Sequence, residues 1–314
     1  MPPPTTIIFG PTGGVASAAA RSAQEHGAKV ILAMRDPLKP IPGFSPEQEK
    51  EAGFTRVQAD LTKPDTVGAA AHQTGAKRAF IYLAYGVSDH MKSTITALKA
   101  AGVDFVVFLS SFSVSLSEGG DISKILPRDI IPYEHGHVEL VLAEIFGADG
   151  YIAVRPAFYA SNAVRWKAGI SSGELKLVSP DAEVDFISPE DIGRVCGALL
   201  ARGPQAGQGF VNLCGPDLVS QREAVGVIAR AVGREVQVVS LGEEEGVQMM
   251  IAEQGMPEAA ARYMVRLLKV LGDGEEVWYE RAVYEEAREN VRKLAEREPM
   301  RLGEWVEENK GLFA

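Results

Sequence analysis

The run Gly10-Pro11-Thr12-Gly13-Gly14-Val15-Ala16 directly follows the apolar stretch Thr5 to Phe9, and no other feature narrows the possible folds so far. Small residues at positions 10, 13 and 16 open a helical pattern, Ala16 to His26, that closes at Gly27. A second apolar strand, Lys29 to Met34, comes next. The first glycine of such a run permits a tight turn, and the second lets backbone N–H groups approach a pyrophosphate. The third small residue lets helix pack on strand. The helix start adds further donors and the positive end of its dipole. This strand–loop–helix–strand context predicts a dinucleotide site, with Gly10, Thr12, Gly13, Gly14 and Val15 around the phosphates.

The alternation continues down the chain. Thr55 to Ala59, Arg78 to Leu83, Phe105 to Leu109 and Tyr151 to Val154 read as strands. Helical patterns at Lys63 to Thr74, His90 to Ala101 and Tyr133 to Phe146 separate them. Asp36 to Gly53 holds four prolines and reads mainly as loop around a short acidic helix. Near-continuous apolar strands between helices predict a parallel sheet covered on both faces. After Ala157 the rhythm loosens. Phe186-Ile187, a helix from Asp191 to Leu200 and Phe210 to Leu213 read as a late return to the sheet, and further helices fall near Gln221 to Ala231, Glu258 to Leu271 and Val283 to Arg297. The expected fold is therefore α/β, a doubly wound parallel Rossmann sheet with a smaller, mostly helical C-terminal substrate lobe. Residues 1–157 would form the first unit, with a return at about 186–214, and 158–314 the second.

Composition excludes several function classes. Over 314 residues, 32 Lys and Arg face 42 Asp and Glu, a net charge of −10. A duplex-binding surface needs clustered cations, so no nucleic-acid partner is expected. No stretch approaches eighteen uninterrupted apolar residues, so no membrane partner is expected either. Met1-Pro-Pro-Pro-Thr-Thr lacks the basic and apolar regions of a signal peptide, which points to a cytoplasmic protein. Two cysteines without metal-ligand spacing give no metal site, and Cys196, within an apolar helical run, reads as a buried structural thiol.

The end of the second strand decides which dinucleotide fits. An acid there would hold a ribose 2′-hydroxyl, whereas Arg35 offers a guanidinium to a 2′-phosphate. NADP(H) is thus expected over NAD, although Asp36 beside it keeps the ribose alternative open. Asp60 and Leu61, behind the third strand, fit the adenine edge, and Asp60 or Thr62 serves equally as a helix cap. Ala84 and Tyr85, at the carboxyl edge of the fourth strand, fall where ligands of open α/β sheets bind.

Several segments together resemble the NmrA-like family of atypical short-chain dehydrogenases/reductases, related to isoflavone-reductase-type enzymes. They are the glycine run, Met34-Arg-Asp-Pro37, Ala59-Asp-Leu61, Val107-Phe-Leu-Ser-Ser111, Tyr151-Ile-Ala-Val-Arg-Pro-Ala-Phe158, Phe186-Ile-Ser-Pro-Glu-Asp-Ile-Gly193 and Asn212-Leu-Cys-Gly-Pro216. The resemblance covers nearly the whole chain. It implies NADP(H) in the first lobe beneath a crevice roofed by the second, with Ser110 and Phe158 near the cofactor. Tyr85, Phe112, Tyr159 and Asn162 would face a small hydrophobic substrate, with packing between the lobes an equal alternative for Phe158 and Tyr159.

Carbonyl reduction needs a proton donor and a group that steadies it. The wider superfamily uses Tyr-x-x-x-Lys. Here Tyr133 is followed at i+4 by His137, while the NmrA-like pattern of a lysine four before a glutamate puts His135 four before Glu139. Both registers stand open, with Tyr133, His135 and His137 as catalytic candidates. A histidine in the lysine's place would be expected to titrate near neutrality. The activity expected is NADPH-dependent reduction of a hydrophobic carbonyl, enone or quinone by a monomer or homodimer. The alternatives are an NADP(H)-sensing regulator with a protein partner, and a non-redox isomerase or lyase.

Overall fold

The computed structural model describes residues 3–204, 207–273 and 279–313. The first half runs β1 (Thr5–Phe9), α1 (Gly14–Glu25), β2 (Lys29–Met34), α2 (Pro46–Glu51), β3 (Thr55–Gln58), α3 (Pro64–Thr74), β4 (Arg78–Tyr82), α4 (Lys92–Ala100), β5 (Phe105–Leu109), α5 (Ser113–Leu116), α6 (Ile130–Phe146) and β6 (Tyr151–Pro156). The second continues α7 (Lys167–Ser172), β7 (Glu174–Val178), β8 (Glu183–Val184), α8 (Pro189–Arg202), β9 (Phe210–Leu213), β10 (Val219–Ser220), α9 (Gln221–Ala231), β11 (Gln237–Leu241), α10 (Glu243–Ala252), α11 (Glu258–Asp273), α12 (Arg281–Ala295) and α13 (Leu302–Asn309).

Seven parallel strands form one sheet in the order β3-β2-β1-β4-β5-β6-β9. Ile7 pairs with Ile31 on one side and Ala79 on the other, so the strand order reverses between β1 and β4. Ligand crevices of open α/β sheets lie at that switch, above the carboxyl ends. Helices α1, α8 and α12 cover one face, burying Ile8, Phe80 and Val107 with Val195 and Val291. Helices α3, α4 and α6 cover the other over Phe9, Ile81 and Phe108. A separate core around Trp166, Phe186, Ile228 and Trp305 lies outside the sheet layers.

Helices α1 and α8 meet unusually closely because both present small residues. A Cβ on Gly197 would stand 2.5 Å from the Ala19 carbonyl oxygen and 2.6 Å from the Ala23 nitrogen. The α8 start is fixed by Ser188, whose Oγ accepts from the Asp191 N–H at 3.0 Å and donates to its carboxylate at 2.8 Å. Pro189 occupies the first helical turn, where no N–H is missed.

Four differences from the sequence reading have physical causes. Helix α6 begins three residues before Tyr133, because Pro132 falls in its first turn and costs no hydrogen bond there. Phe210–Leu213 rejoins the sheet beside β6, but Phe186-Ile187 does not. Ile187 makes an isolated bridge to Tyr159, and β8 pairs antiparallel with β10. The region after Ala157 also contains more strand than expected. In β7, Leu175 and Leu177 turn inward between exposed Glu174 and Lys176, and the strand pairs in parallel with β11. Finally, α12 packs its Val291 and Ala295 into the sheet core rather than into the outer lobe.

Gly197→Val should force the α1 and α8 backbones apart. A loss of about 1–3 kcal/mol is expected, read as a lower urea midpoint at unchanged m-value. Gly209→Ala is the control, since a Cβ there meets nothing within 4 Å.

Candidate functional site

The glycine loop is built by backbone geometry. Gly10 has φ +68° and donates its N–H to the Ala33 carbonyl at 3.0 Å, while Gly13 donates to the Gly10 carbonyl at 3.0 Å. Gly13 then caps α1 with no side-chain acceptor, and the first turn carries no acid. The leading N–H groups of the helix are therefore left for an anion. Gly13 itself has an ordinary φ of −89°, and a Cβ there would meet just the Gly10 carbonyl oxygen at 3.5 Å. The chain's own packing does not demand glycine at 13. The space beside it is open groove.

Two depressions flank the loop. A groove of about 870 Å³ runs past Gly10, Thr12, Gly13, Gly14 and Val15 to Leu109 and Tyr159. A hollow of about 240 Å³ lies beside Arg35, Asp60, Leu61, Ala84 and Tyr85. Arg35 makes no side-chain hydrogen bond or ion pair among the described residues, so its guanidinium is available. Asp36 instead turns back to accept the Leu38 N–H at 3.0 Å and does not line the hollow. Asp60 accepts from the Thr62 N–H and hydroxyl, which hold its carboxyl below the usual range. Neither Asp60 nor Thr62 caps α3, whose cap position is Lys63.

A chamber of about 310 Å³ adjoins both depressions. Tyr82 lines all three spaces. Its ring rests against the loop so closely that a Cβ on Gly10 would lie 2.6 Å from its Cε1. Leu109 and Tyr159 line chamber and groove together, so those three residues mark the junction. Ser110, Phe158, Tyr85, Asn162 and Phe112 also line the chamber, although Phe112 is fully buried. Burial pushes the Tyr159 phenol strongly upward, so it stays protonated.

Helix α6 separates the three catalytic candidates. His135 faces the chamber with Nδ1 buried and unpartnered among the described residues. One turn on, Glu139 is buried and accepts from Ser110 Oγ at 2.5 Å and from Arg155 Nε and Nη2 at 3.0 and 2.5 Å. Positions 133 and 137 fall on a different face. There Tyr133 and His137 pack ring to ring at 4.0 Å, His137 Nδ1 bonds the Tyr133 carbonyl, and His90 stacks against His137 at 4.7 Å. Neither lines the chamber, hollow or groove. The expectation that a chamber histidine titrates near neutrality fails for His135, whose imidazole burial pushes down to about 4.

Residues far along the chain complete the chamber. Tyr263, Leu267 and Leu271 share a stripe of α11 at four-residue spacing, a periodicity visible in the sequence. Tyr279 is placed by Asp185, which accepts its hydroxyl at 2.6 Å together with the N–H groups of Phe158 at 2.8 Å and Gly215 at 2.7 Å. No sequence signal marked that buried carboxylate. Cys196 and Cys214 are both buried, and burial raises both thiols. Among the described residues, no three His, Cys, Asp or Glu side chains are grouped to hold a metal, and no helix is long and apolar enough to cross a membrane.

A glycine-cradled groove at the sheet's switch point, leading to an apolar chamber, defines a dinucleotide-type Rossmann architecture. The chain belongs to the NmrA-like family, whose model matches residues 4–306. It is 36% identical over 325 residues to the nitrogen metabolite regulation-like protein bik4 of Gibberella fujikuroi, covering 98% of this chain and 97% of that one. Its fold is similar to that of an NADPH-dependent quinone oxidoreductase from Escherichia coli, with TM-score 0.69, 19% identity and coverage of 97% and 99% of the two chains. The negative transcriptional regulator NmrA has TM-score 0.69 at 18% identity, covering 98% of this chain and 96% of that one.

His135 should make the fold acid-sensitive. Its folded pKa is depressed, so below about 6.5 the unfolded chain takes a proton that the folded chain refuses. Stability is therefore lost as pH falls from about 6.5 to about 4. With the ring partly open to the chamber, the loss should be on the order of 2 kcal/mol, and it should be absent from His135→Gln, so that it appears as the difference between that variant and the unmodified chain. Equal slopes in urea titrations of the two between pH 7 and 4 would contradict the burial of this imidazole.

Proposed function

We propose that this protein binds NADP(H) across the hollow and groove and reduces a hydrophobic carbonyl, enone or quinone held in the chamber. The observation that carries this reading is the junction at Tyr82, Leu109 and Tyr159, where an apolar chamber opens directly onto the glycine-cradled groove. Gly10 to Val15 would hold the pyrophosphate, Arg35 the 2′-phosphate, and Asp60 with Leu61 the adenine edge. The reduced nicotinamide supplies a hydride when bound.

The chain's own residues handle the oxygen. His135 is neutral at working pH, and its buried, unbonded Nδ1 is best left as a lone pair, which places the N–H on Nε2. That N–H would donate to the substrate oxygen. The Tyr159 phenol, protonated and at the junction, is the candidate proton donor. A ligand seated between the apolar walls would displace water from them, which strengthens both interactions. Tyr133 and His137 contribute by packing, through the ring cluster with His90.

A second reading has its own support, since the 36% identical relative carries a regulator's name and Tyr-x-x-x-Lys is missing. In that reading the same NADP(H) site reports cofactor state to a protein partner.

NADPH should bind more tightly than NADH in calorimetric titration. Arg35→Glu should weaken NADPH by about 1.5–3 kcal/mol, the scale of a charge-assisted hydrogen bond. Gly13→Val should fold normally yet bind neither cofactor, because its branched side chain enters the space a pyrophosphate needs. Equal affinity for the two cofactors in the unmodified chain would sink the Arg35 assignment.

Turnover separates the two readings. The reductase should oxidise NADPH with quinones or aromatic ketones at a rate flat between pH 6 and 8, since His135 does not titrate there. Tyr159→Phe should cut that rate by about 10²–10⁴-fold with cofactor affinity unchanged. If a panel of quinones, enones and aldehydes gives nothing above background while NADPH binds, the sensor reading replaces the reductase.

A further inference from the structure

The chamber wall formed by α5 and α11 carries more hydrogen-bond capacity than the fold consumes. Ser111, Ser113 and Tyr263 all line the chamber, and none of them lines the cofactor hollow or groove. Ser111 Oγ and Ser113 Oγ lie 2.8 Å apart and share one proton. The Tyr263 phenol lies beside Ser113, and burial pushes it up to about 12, so it stays protonated. Arg266, paired to Asp129 at 2.6 Å, lies 5.9 Å over the Tyr263 ring and holds it from the outer side.

Three hydroxyls bring three protons. The bond between Ser111 and Ser113 uses one of them. The Ser113 N–H approaches Ser111 Oγ at 3.4 Å, which occupies a lone pair and no proton. The remaining O–H donor capacity faces a mostly apolar space, where an unmatched donor is costly unless something entering the chamber accepts it. Nothing charged is offered to that visitor. Among the described residues, the chamber lining contains no Asp, Glu, Lys or Arg, and its single imidazole is neutral. Aromatic rings from Tyr85, Phe158, Tyr159, Tyr263 and Tyr279 supply flat apolar walls.

We propose that Ser111, Ser113 and Tyr263 form a specificity subsite that accepts a second oxygen of an uncharged, flat aromatic ligand, at the end of the chamber away from the cofactor junction. The ligand lies between the aromatic walls, with one oxygen toward His135 and Tyr159 and the other on the hydroxyl cluster. The cluster supplies a donor to a carbonyl or phenol oxygen and an acceptor to a phenol proton, so a carboxylate is excluded by the uncompensated cost of burying its charge. This inference rests on the proposed chamber occupant but not on turnover.

The test is calorimetric titration of the full chain, saturated with NADP⁺, with three bicyclic ketones: 1-tetralone, 6-hydroxy-1-tetralone and 1-tetralone-6-carboxylate. The hydroxylated ketone should bind about five- to tenfold tighter than its parent, the yield of one net hydrogen bond, and the carboxylate should bind most weakly. Ser113→Ala and Tyr263→Phe, made separately, should each bring the hydroxyl-to-parent ratio toward one. Either variant suffices if the other fails to fold. A ratio of one in the unmodified chain, a ratio that survives both substitutions, tighter binding of the carboxylate, or no binding of any ketone overturns the subsite. Because NADP⁺ cannot reduce these ketones, the measurement is independent of the reductase reading. Discrimination without NADPH oxidation would leave the subsite standing in a sensor, and oxidation without discrimination would remove the subsite alone.

Discussion

The buried pair of Glu139 and Arg155 is the interaction on which the site's geometry depends. Both side chains are nearly inaccessible, and the guanidinium meets the carboxylate through two nitrogens. An ion pair taken out of water is tolerable where its remaining groups are also satisfied. Here Ser110 fills the carboxylate, Ser115 takes Arg155 Nη1 at 2.9 Å and passes on to Asn212 at 2.7 Å, and Phe210 lies 4.0 Å from the guanidinium carbon. The network thereby joins α6, the turn after β5, α5, β6 and β9. It fixes the rotation of α6 about its own axis. With Glu139 turned inward, the residue one turn earlier must face the chamber, and that residue is His135.

The same rotation settles which of two sequence registers brings a histidine to the chamber, and it shows why the sequence left them open. Tyr133 with His137 and His135 with Glu139 are both i, i+4 pairs on the same helix. Spacing says that each pair shares a face, not which face points inward. The deciding information is Arg155, sixteen residues beyond Glu139 on β6, whose charge needs a buried partner. The glycine loop was legible for the opposite reason. Its strand, turn and helix are contiguous, so its geometry is written locally. The parallel sheet with helices on both faces followed from the same local alternation, whereas the chamber's outer wall came from Tyr263 and Tyr279, more than a hundred residues away. Phe186-Ile187 misled because an apolar pair resembles a strand, while its neighbour Asp185 spends its carboxylate on the Phe158 and Gly215 N–H groups and turns the chain.

Small residues determine how close the cofactor groove lies to the helical layer. Gly193 and Gly197 let α8 sit against α1, and a Cβ on Gly14 would meet Pro189 at 3.3 Å at the start of α8. The loop is thus braced from behind by a second helix whose own start is held by Ser188 and Asp191. Asp191 in turn accepts the Met300 N–H at 2.8 Å, which carries the brace to α13 and to Trp305 at the edge of the groove. The loop's conformation is therefore over-determined by packing that never touches a ligand. Of the loop's three glycines, Gly13 alone is left without a packing reason to be glycine.

Replacing a lysine by a buried histidine changes the electrostatics of the chamber more than its shape. An ammonium would be a fixed positive charge that lowers the pKa of a neighbouring phenol and welcomes an anion. The neutral imidazole does neither, and the Tyr159 phenol is pushed up rather than down. An uncharged chamber stabilises a developing oxyanion by oriented N–H and O–H dipoles alone, which is effective where water is excluded. It also selects against charged visitors before any chemistry. A chamber of that kind suits a ligand that arrives neutral and becomes anionic only as hydride is added, and it serves equally to hold such a ligand unreacted. Access from groove to chamber is set at the junction, where the Tyr82 ring rests on Gly10 beside Leu109 and Tyr159.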